Sequence, residues 1–92
     1  MEATRVIVRG RVQGVGFRWF VVRNARALGV RGTVRNRRDG AVEAILQAER
    51  AATIEALMDR LRDGPPAAWV ESVEIEAVGE LGEEIEDMQV IR

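Results

Sequence analysis

The apolar residues of this 92-residue chain change their spacing four times, from every second residue to every third or fourth and back, twice over. Side chains alternate across a strand but recur about every 3.6 residues around a helix, so the order of spacings predicts the order of elements. From Arg5 to Val12, the residues Val6, Val8, Gly10 and Val12 fall on one face and Ile7, Arg9 and Arg11 on the other, as in a strand. Gln13 to Gly16 breaks that pattern. Phe17, Phe20, Val21, Ala25 and Leu28 then share a helical face, with Gly29 placed as a C-terminal cap, which predicts a helix over Phe17 to Leu28. Val30 to Asn36 and Ala41 to Gln47 read as antiparallel strands joined at Arg37-Arg38-Asp39-Gly40, because Asp-Gly readily supplies positive φ. Ile54, Leu57, Met58 and Leu61 mark a second helix from Arg50 to Arg62, stopped by Gly64-Pro65-Pro66. Trp69 to Ala77 alternates again, with Val73, Ile75 and Ala77 inward and Glu74 and Glu76 outward. Gly79 to Gly82 reads as a loop, and Ile85 to Ile91 as a short last strand with Met88 and Val90 on one face.

The predicted order is β-α-β-β-α-β plus a terminal strand, an α+β ferredoxin-like arrangement with two helices on one face of an antiparallel sheet. Residues 1–92 are expected to form one domain, with no internal repeat or linker. That layout hosts many unrelated activities, so function has to be read from a site.

Composition narrows the chemistry. The chain has no His, Cys, Lys or Tyr, and Ser72 is its one serine. Thiolate nucleophiles, Ser-His pairs, Schiff bases, phosphate-loop lysines, disulfides and nitrogen or sulfur ligand sets for zinc are all excluded. What remains is carboxylates, Arg, Asn, Gln and backbone amides, a set suited to holding an anion and steering a water. No apolar run approaches the roughly 18 residues that span a bilayer, and no secretory leader pattern opens the chain, so a cytoplasmic protein with no membrane association is expected.

All 14 cations are Arg. Residues 1–40 hold ten of them against Glu2 and Asp39, a net +8, while the other 52 residues hold four against 13 acids, a net −9. Two explanations fit together: basic and acidic strands that pair across a sheet, and an anion site in the first half.

The segment Gly10-Arg11-Val12-Gln13-Gly14-Val15-Gly16-Phe17-Arg18 runs from strand into helix. Two glycines between those elements let successive backbone N–H groups point into one concavity, and the helix adds its own free N–H groups and positive dipole end. Arg18, on the first turn, brings a planar two-pronged donor matched to phosphate or carboxylate. The plainer alternative is a tight turn with Arg18 on a solvated face. Asn36 closes the second strand. It is either a turn former bonded to local backbone or an amide whose paired donor and acceptor hold a water in place.

These segments, followed by Ala27-Leu28-Gly29-Val30-Arg31-Gly32, Val34-Arg35-Asn36, Asp39-Gly40-Ala41-Val42-Glu43, Gly64-Pro65-Pro66 and Val70, resemble the acylphosphatase family over nearly the whole chain. The resemblance implies hydrolysis of carboxyl-phosphate anhydrides without metal or cofactor. It implies that the loop of Gln13, Gly14, Val15, Gly16, Phe17 and Arg18 cradles the phosphate, that Arg18 binds it, and that Asn36 orients the attacking water. Inorganic phosphate or sulfate would then compete with a small-molecule acyl phosphate. Thr33 stands where the family often has Trp, Ala48 where it usually has Gly and Met88 where it often has Phe, three departures that concern packing.

Two other classes compete with this reading. A noncatalytic phosphate- or carbamoyl-phosphate-binding module, like the acylphosphatase-type domain of larger hydrogenase-maturation proteins, would carry the same loop. An RNA-binding sheet would need aromatics on its middle strands, and Val6 to Val12 and Ala41 to Gln47 have none, since Phe17, Trp19 and Phe20 lie on the helix. The acidic stretch Glu80 to Asp87 lacks calcium-loop spacing and reads as a solvated turn and edge strand. Trp69 opens a strand and reads as a core or rim aromatic rather than a substrate contact. The expectation is a monomer that binds neither nucleic acid nor metal.

Overall fold

The computed structural model describes residues 1–92 and contains β1 (Glu2–Arg11), α1 (Phe17–Leu28), β2 (Arg31–Asn36), β3 (Val42–Gln47), α2 (Ala51–Asp63), β4 (Trp69–Glu80) and β5 (Met88–Val90). One sheet orders the strands β4-β1-β3-β2-β5. The first four pair antiparallel, as the spacing predicts, but β5 pairs parallel to β2, so the sheet is mixed. The reason is directional. β4 runs opposite to β2, and a chain that reverses after β4 must therefore run along β2.

The helices cover one face. Ile54, Leu57, Met58 and Leu61 of α2 are all buried, as their period requires, and α1 buries Phe17, Val21, Val22 and Ala25 against Val6, Val8, Val34, Ala44 and Leu46 of the sheet. Each Val, Leu, Ile, Met or Phe side chain among them removed from water contributes about 1.5–3 kcal/mol. Phe20 and Leu28 are only partly buried, and Val22 takes a core place that the predicted face did not include. Met88 is fully buried in the same core, and Ala48 packs against it.

β4 departs most from the sequence reading. It continues through Gly79 to Glu80 instead of ending at Ala77, because β1 starts early and supplies partners: Glu2 faces Glu80, Ala3 faces Gly79 and Thr4 faces Val78. Between the pairs Arg5–Ala77 and Val6–Ile75 the register slips by one residue, which turns Ala77 to the outer face beside Arg5. Ile75 keeps the inner side but lies on an edge strand and is exposed; Val73 alone of the three predicted inward residues is buried. The last strand is shorter than predicted because the backbone before it is used elsewhere. Ile85 donates its N–H to Gln47 Oε1 at 2.8 Å, and Gly32 donates to the Asp87 carbonyl at 2.9 Å. Gln47, fully buried, also donates from Nε2 to the Glu83 carbonyl at 2.9 Å, so one amide satisfies both polarities of the connection it holds.

Charge is paired across the outer face. Glu43 lies within 4 Å of Arg5, Arg35 and Arg37, with Arg35 Nε donating at 2.7 Å, while Glu76 meets Arg5 and Arg37. At the far edge Arg26, in the last turn of α1, donates to both oxygens of Asp87, at 3.1 and 3.0 Å, and to the Met88 carbonyl.

Asp87 generates a pH prediction. The Met88 backbone N–H, then the Arg26 guanidinium, hold its carboxyl below the usual aspartate range. A depressed folded value means that its stabilisation is present above an unfolded value of about 3.9 and is lost as pH falls through the folded one. Asp87→Asn is therefore expected to lower the melting temperature at pH 6, and the two melting curves should converge as pH drops below 4. A constant gap across that range would show that the Asp87 charge is not involved.

Candidate functional site

The loop between β1 and α1 is anchored at both ends by buried side chains, Val12 before it and Phe17 after it. Between them Gly14 has φ 73° and Gly16 φ 79°, both left-handed, on either side of Val15. A left-handed residue next to an ordinary one turns consecutive N–H groups toward one side, which is the geometry of an anion nest. No backbone N–H from Gln13 to Gly16 is donated to an acceptor within the protein. Helical bonding begins with Phe20 donating to the Gly16 carbonyl. Gly16, as N-cap, offers no side chain, and the first turn has no acid. The positive end of α1 and the loop amides are thus left uncompensated together.

Arg18 stands half-buried on that first turn and forms no ion pair with any carboxylate. Arg11 and Arg38 also lack ion pairs. Arg18 differs from them in rising out of the loop itself.

Gln13 does something its sequence position did not announce. Its side-chain Nε2 donates to the Arg37 carbonyl at 2.7 Å and to the Ala41 carbonyl at 3.0 Å. The side chain is therefore committed to the β2–β3 hairpin, and only the Gln13 backbone N–H is free for the cradle. The same two bonds bring the loop against the residue that follows Asn36.

Asn36 ends β2 opposite Val42. Its side chain makes no hydrogen bond within the protein, and its Oδ1 is buried without a partner. The turn is built without it. Arg37 donates its N–H to the Ala41 carbonyl at 2.8 Å, and Ala41 donates its own to Asp39 Oδ1 at 3.1 Å. Asp39, not Asn36, is the side chain that closes the hairpin. The Ala41 N–H holds the Asp39 carboxyl below its ordinary range, with Arg37 and Arg9 beside it adding to the effect, so Asp39 stays ionised and is no proton donor near neutrality.

Gly14 and Gly16 are exposed, so the loop is an open cradle. No group of three or more Asp or Glu is placed to hold a metal ion. In the acidic stretch from Glu80 to Asp87, the two end residues form ion pairs, Glu80 with the N-terminal ammonium at 2.6 Å and Asp87 with Arg26. No helix is long and apolar enough to cross a membrane.

A family model described as Acylphosphatase matches residues 4–89. An acylphosphatase of Rhodopseudomonas palustris (strain BisB5) is 50% identical over 76 residues, which span 83% of this chain and 76% of the relative. Among solved structures, an acylphosphatase from Bacillus subtilis is similar with a TM-score of 0.90 at 30% identity over 100% of both chains. HypF from T. kodakarensis matches with a TM-score of 0.86 at 33% identity, over 99% of this chain and 12% of that one.

Gly16 gives the cradle its own test. A Cβ there would meet nothing within 4 Å, so Gly16→Ala suffers only the left-handed backbone penalty, about 1–2 kcal/mol. The variant should be less stable by that amount and bind inorganic phosphate more weakly, as read by calorimetry. Unchanged phosphate binding would separate the loop amides from anion recognition.

Proposed function

The chain belongs to the acylphosphatase family, and on that premise we propose that the amides of Gln13 to Phe17 together with Arg18 hold the phosphoryl group while Asn36 holds the attacking water. The reaction itself is that of the family, hydrolysis of an acyl phosphate to a carboxylate and inorganic phosphate. One observation carries the assignment of residues: four consecutive loop amides without acceptors, turned by two left-handed glycines, at the start of a helix whose first turn bears a half-buried Arg18 and no acid.

The chemistry asks little beyond that. Water adds to phosphorus, the bond from phosphorus to the acyl oxygen breaks, and the electron pair leaves on a carboxylate that is stable without a proton. The amides and Arg18 sit where the equatorial oxygens carry charge, and their fixed dipoles need no reorganisation as that charge shifts. Asn36, free of protein partners, keeps its Nδ2 donor open to hold one water, while its Oδ1 is buried. The water's proton passes to a phosphoryl oxygen of the substrate, because the Asp39 carboxylate, its pKa lowered by its own contacts, is a poorer base than an ordinary aspartate, and no carboxylate pairs with Arg18.

The same reading assigns residues 1–92 to one acylphosphatase domain that works as a cytoplasmic monomer, without metal or nucleic acid, and is inhibited by phosphate or sulfate. An acyl phosphate assay with chelator present throughout tests it, and activity that needs an added divalent ion would overturn the metal-free mechanism.

Arg18→Ala should lower turnover at least about a hundredfold, the usual cost of deleting a preorganised donor, and should weaken inhibition by inorganic phosphate. Near-normal phosphate inhibition in that variant would return Arg18 to a solvated face. Asn36→Ala should separate the two roles. Turnover falls steeply while KM and phosphate inhibition change little, since the amide acts mainly in the transition state. A variant with full activity per folded molecule and a stability loss of about 1 kcal/mol would make Asn36 a structural residue instead.

A further inference from the structure

The outer face of the sheet holds a concavity of about 600 Å³ at the end of β1, on the loop side. Trp69 lines it and is 64% exposed, so a large apolar ring stands in water at the edge of the phosphate cradle. The backbone holds it there. Trp69 pairs with Arg11, and at Gly10, with φ 129°, a Cβ would lie 2.2 Å from the Trp69 carbonyl oxygen, so only glycine permits the approach of β1 to β4. The register also slips between the pairs Arg9–Ser72 and Gly10–Val70, leaving Glu71 as an extra residue that re-aims the start of β4.

The concavity adjoins the loop on two sides. Arg11 lies two residues before Gln13, so the chain keeps them within about 7 Å. Ala41, on the other wall, is one of the two carbonyls that receive the Gln13 amide. A phosphate held by the loop therefore has this concavity as a neighbour. Its charges cancel: Arg9 pairs with Asp39 at 3.4 Å, and Arg11 and Glu71 bring one charge of each sign with no ion pair. A second anionic group on the substrate gains nothing net from such a lining, whereas an uncharged planar ring gains the indole face.

We propose that this concavity is the acyl subsite and that it takes an uncharged aromatic acyl group stacked on Trp69. The assignment rests on the phosphate-loop reading and extends it to the half of the substrate that the loop does not touch.

The test compares benzoyl phosphate with acetyl phosphate. In Trp69→Ala the ratio of kcat/KM for the two should fall about tenfold, the scale of one aromatic contact, and in Trp19→Ala, which alters an exposed indole outside the concavity, it should not move. Equal loss on both substrates would reduce Trp69 to a strand-pairing role and end the proposal. So would an unchanged benzoyl ratio together with a fallen ratio of succinyl to acetyl phosphate, which would make the subsite anion-selective. A second readout leaves Trp69 in place. Trp19→Phe makes Trp69 the sole tryptophan, and its emission should respond to benzylphosphonate and not to methylphosphonate. Arg18→Ala, measured alongside, keeps the two assignments apart: unaltered phosphate inhibition there sinks the loop reading, and unaltered substrate ratios in Trp69→Ala sink this one.

Discussion

β1 is hydrogen-bonded on both edges, to β4 along its length and to β3 through its middle, and everything at the candidate site is referred to it. A strand held on both sides cannot shift its register without moving its whole apolar set off the core. The point where β1 releases the chain into the loop is therefore fixed. Val12 and Phe17, both sunk in the core, fix the chain again on either side of the cradle. Backbone amides in an open loop can turn to water or to other acceptors, and they keep one direction only where the surroundings leave the chain no alternative path. Here the anchors provide that constraint, so donors stand ready without reorganisation when charge arrives.

The order of elements was legible because it depends on period, a property of each segment alone. The α2 face, part of the α1 face and the hairpin followed from spacing and turn chemistry. What escaped depends on distant partners. The length of β4 was set by where β1 begins, its face by a slip opposite Arg5 and Val6, and the direction of β5 by the side of the sheet it reaches. At the site, Gly14, Gly16 and Arg18 could be singled out from local pattern and family resemblance. The Gln13 side chain could not be placed, because a bond to a carbonyl 24 residues away leaves no periodic trace. The same holds for Asp39 and Asn36. Either could have closed the hairpin by type, and only the geometry gives that task to Asp39 and leaves the Asn36 amide free.

The contrast in charge between the two parts of the chain resolves largely into pairing on the outer face, where Glu43, only 11% exposed, draws in three guanidinium groups. The guanidinium partners remain partly in water, and pairs at such a surface contribute little each, about 0–1 kcal/mol, so their effect is on arrangement more than on stability. They occupy Arg5, Arg35 and Arg37 and leave Arg18 without a competing carboxylate.

The irregularities of β4 reach beyond the substrate. β4 is the one long free edge of the sheet, and a long regular edge invites another chain to add a strand. Two register slips interrupt its repeat of free carbonyls and amides, and Glu71, Glu74 and Glu76 place like charges along it. β5, the opposite edge, spans three residues. A sheet finished in this way offers no continuous template at either side, and such a molecule can be crowded without being drawn into cross-β stacking.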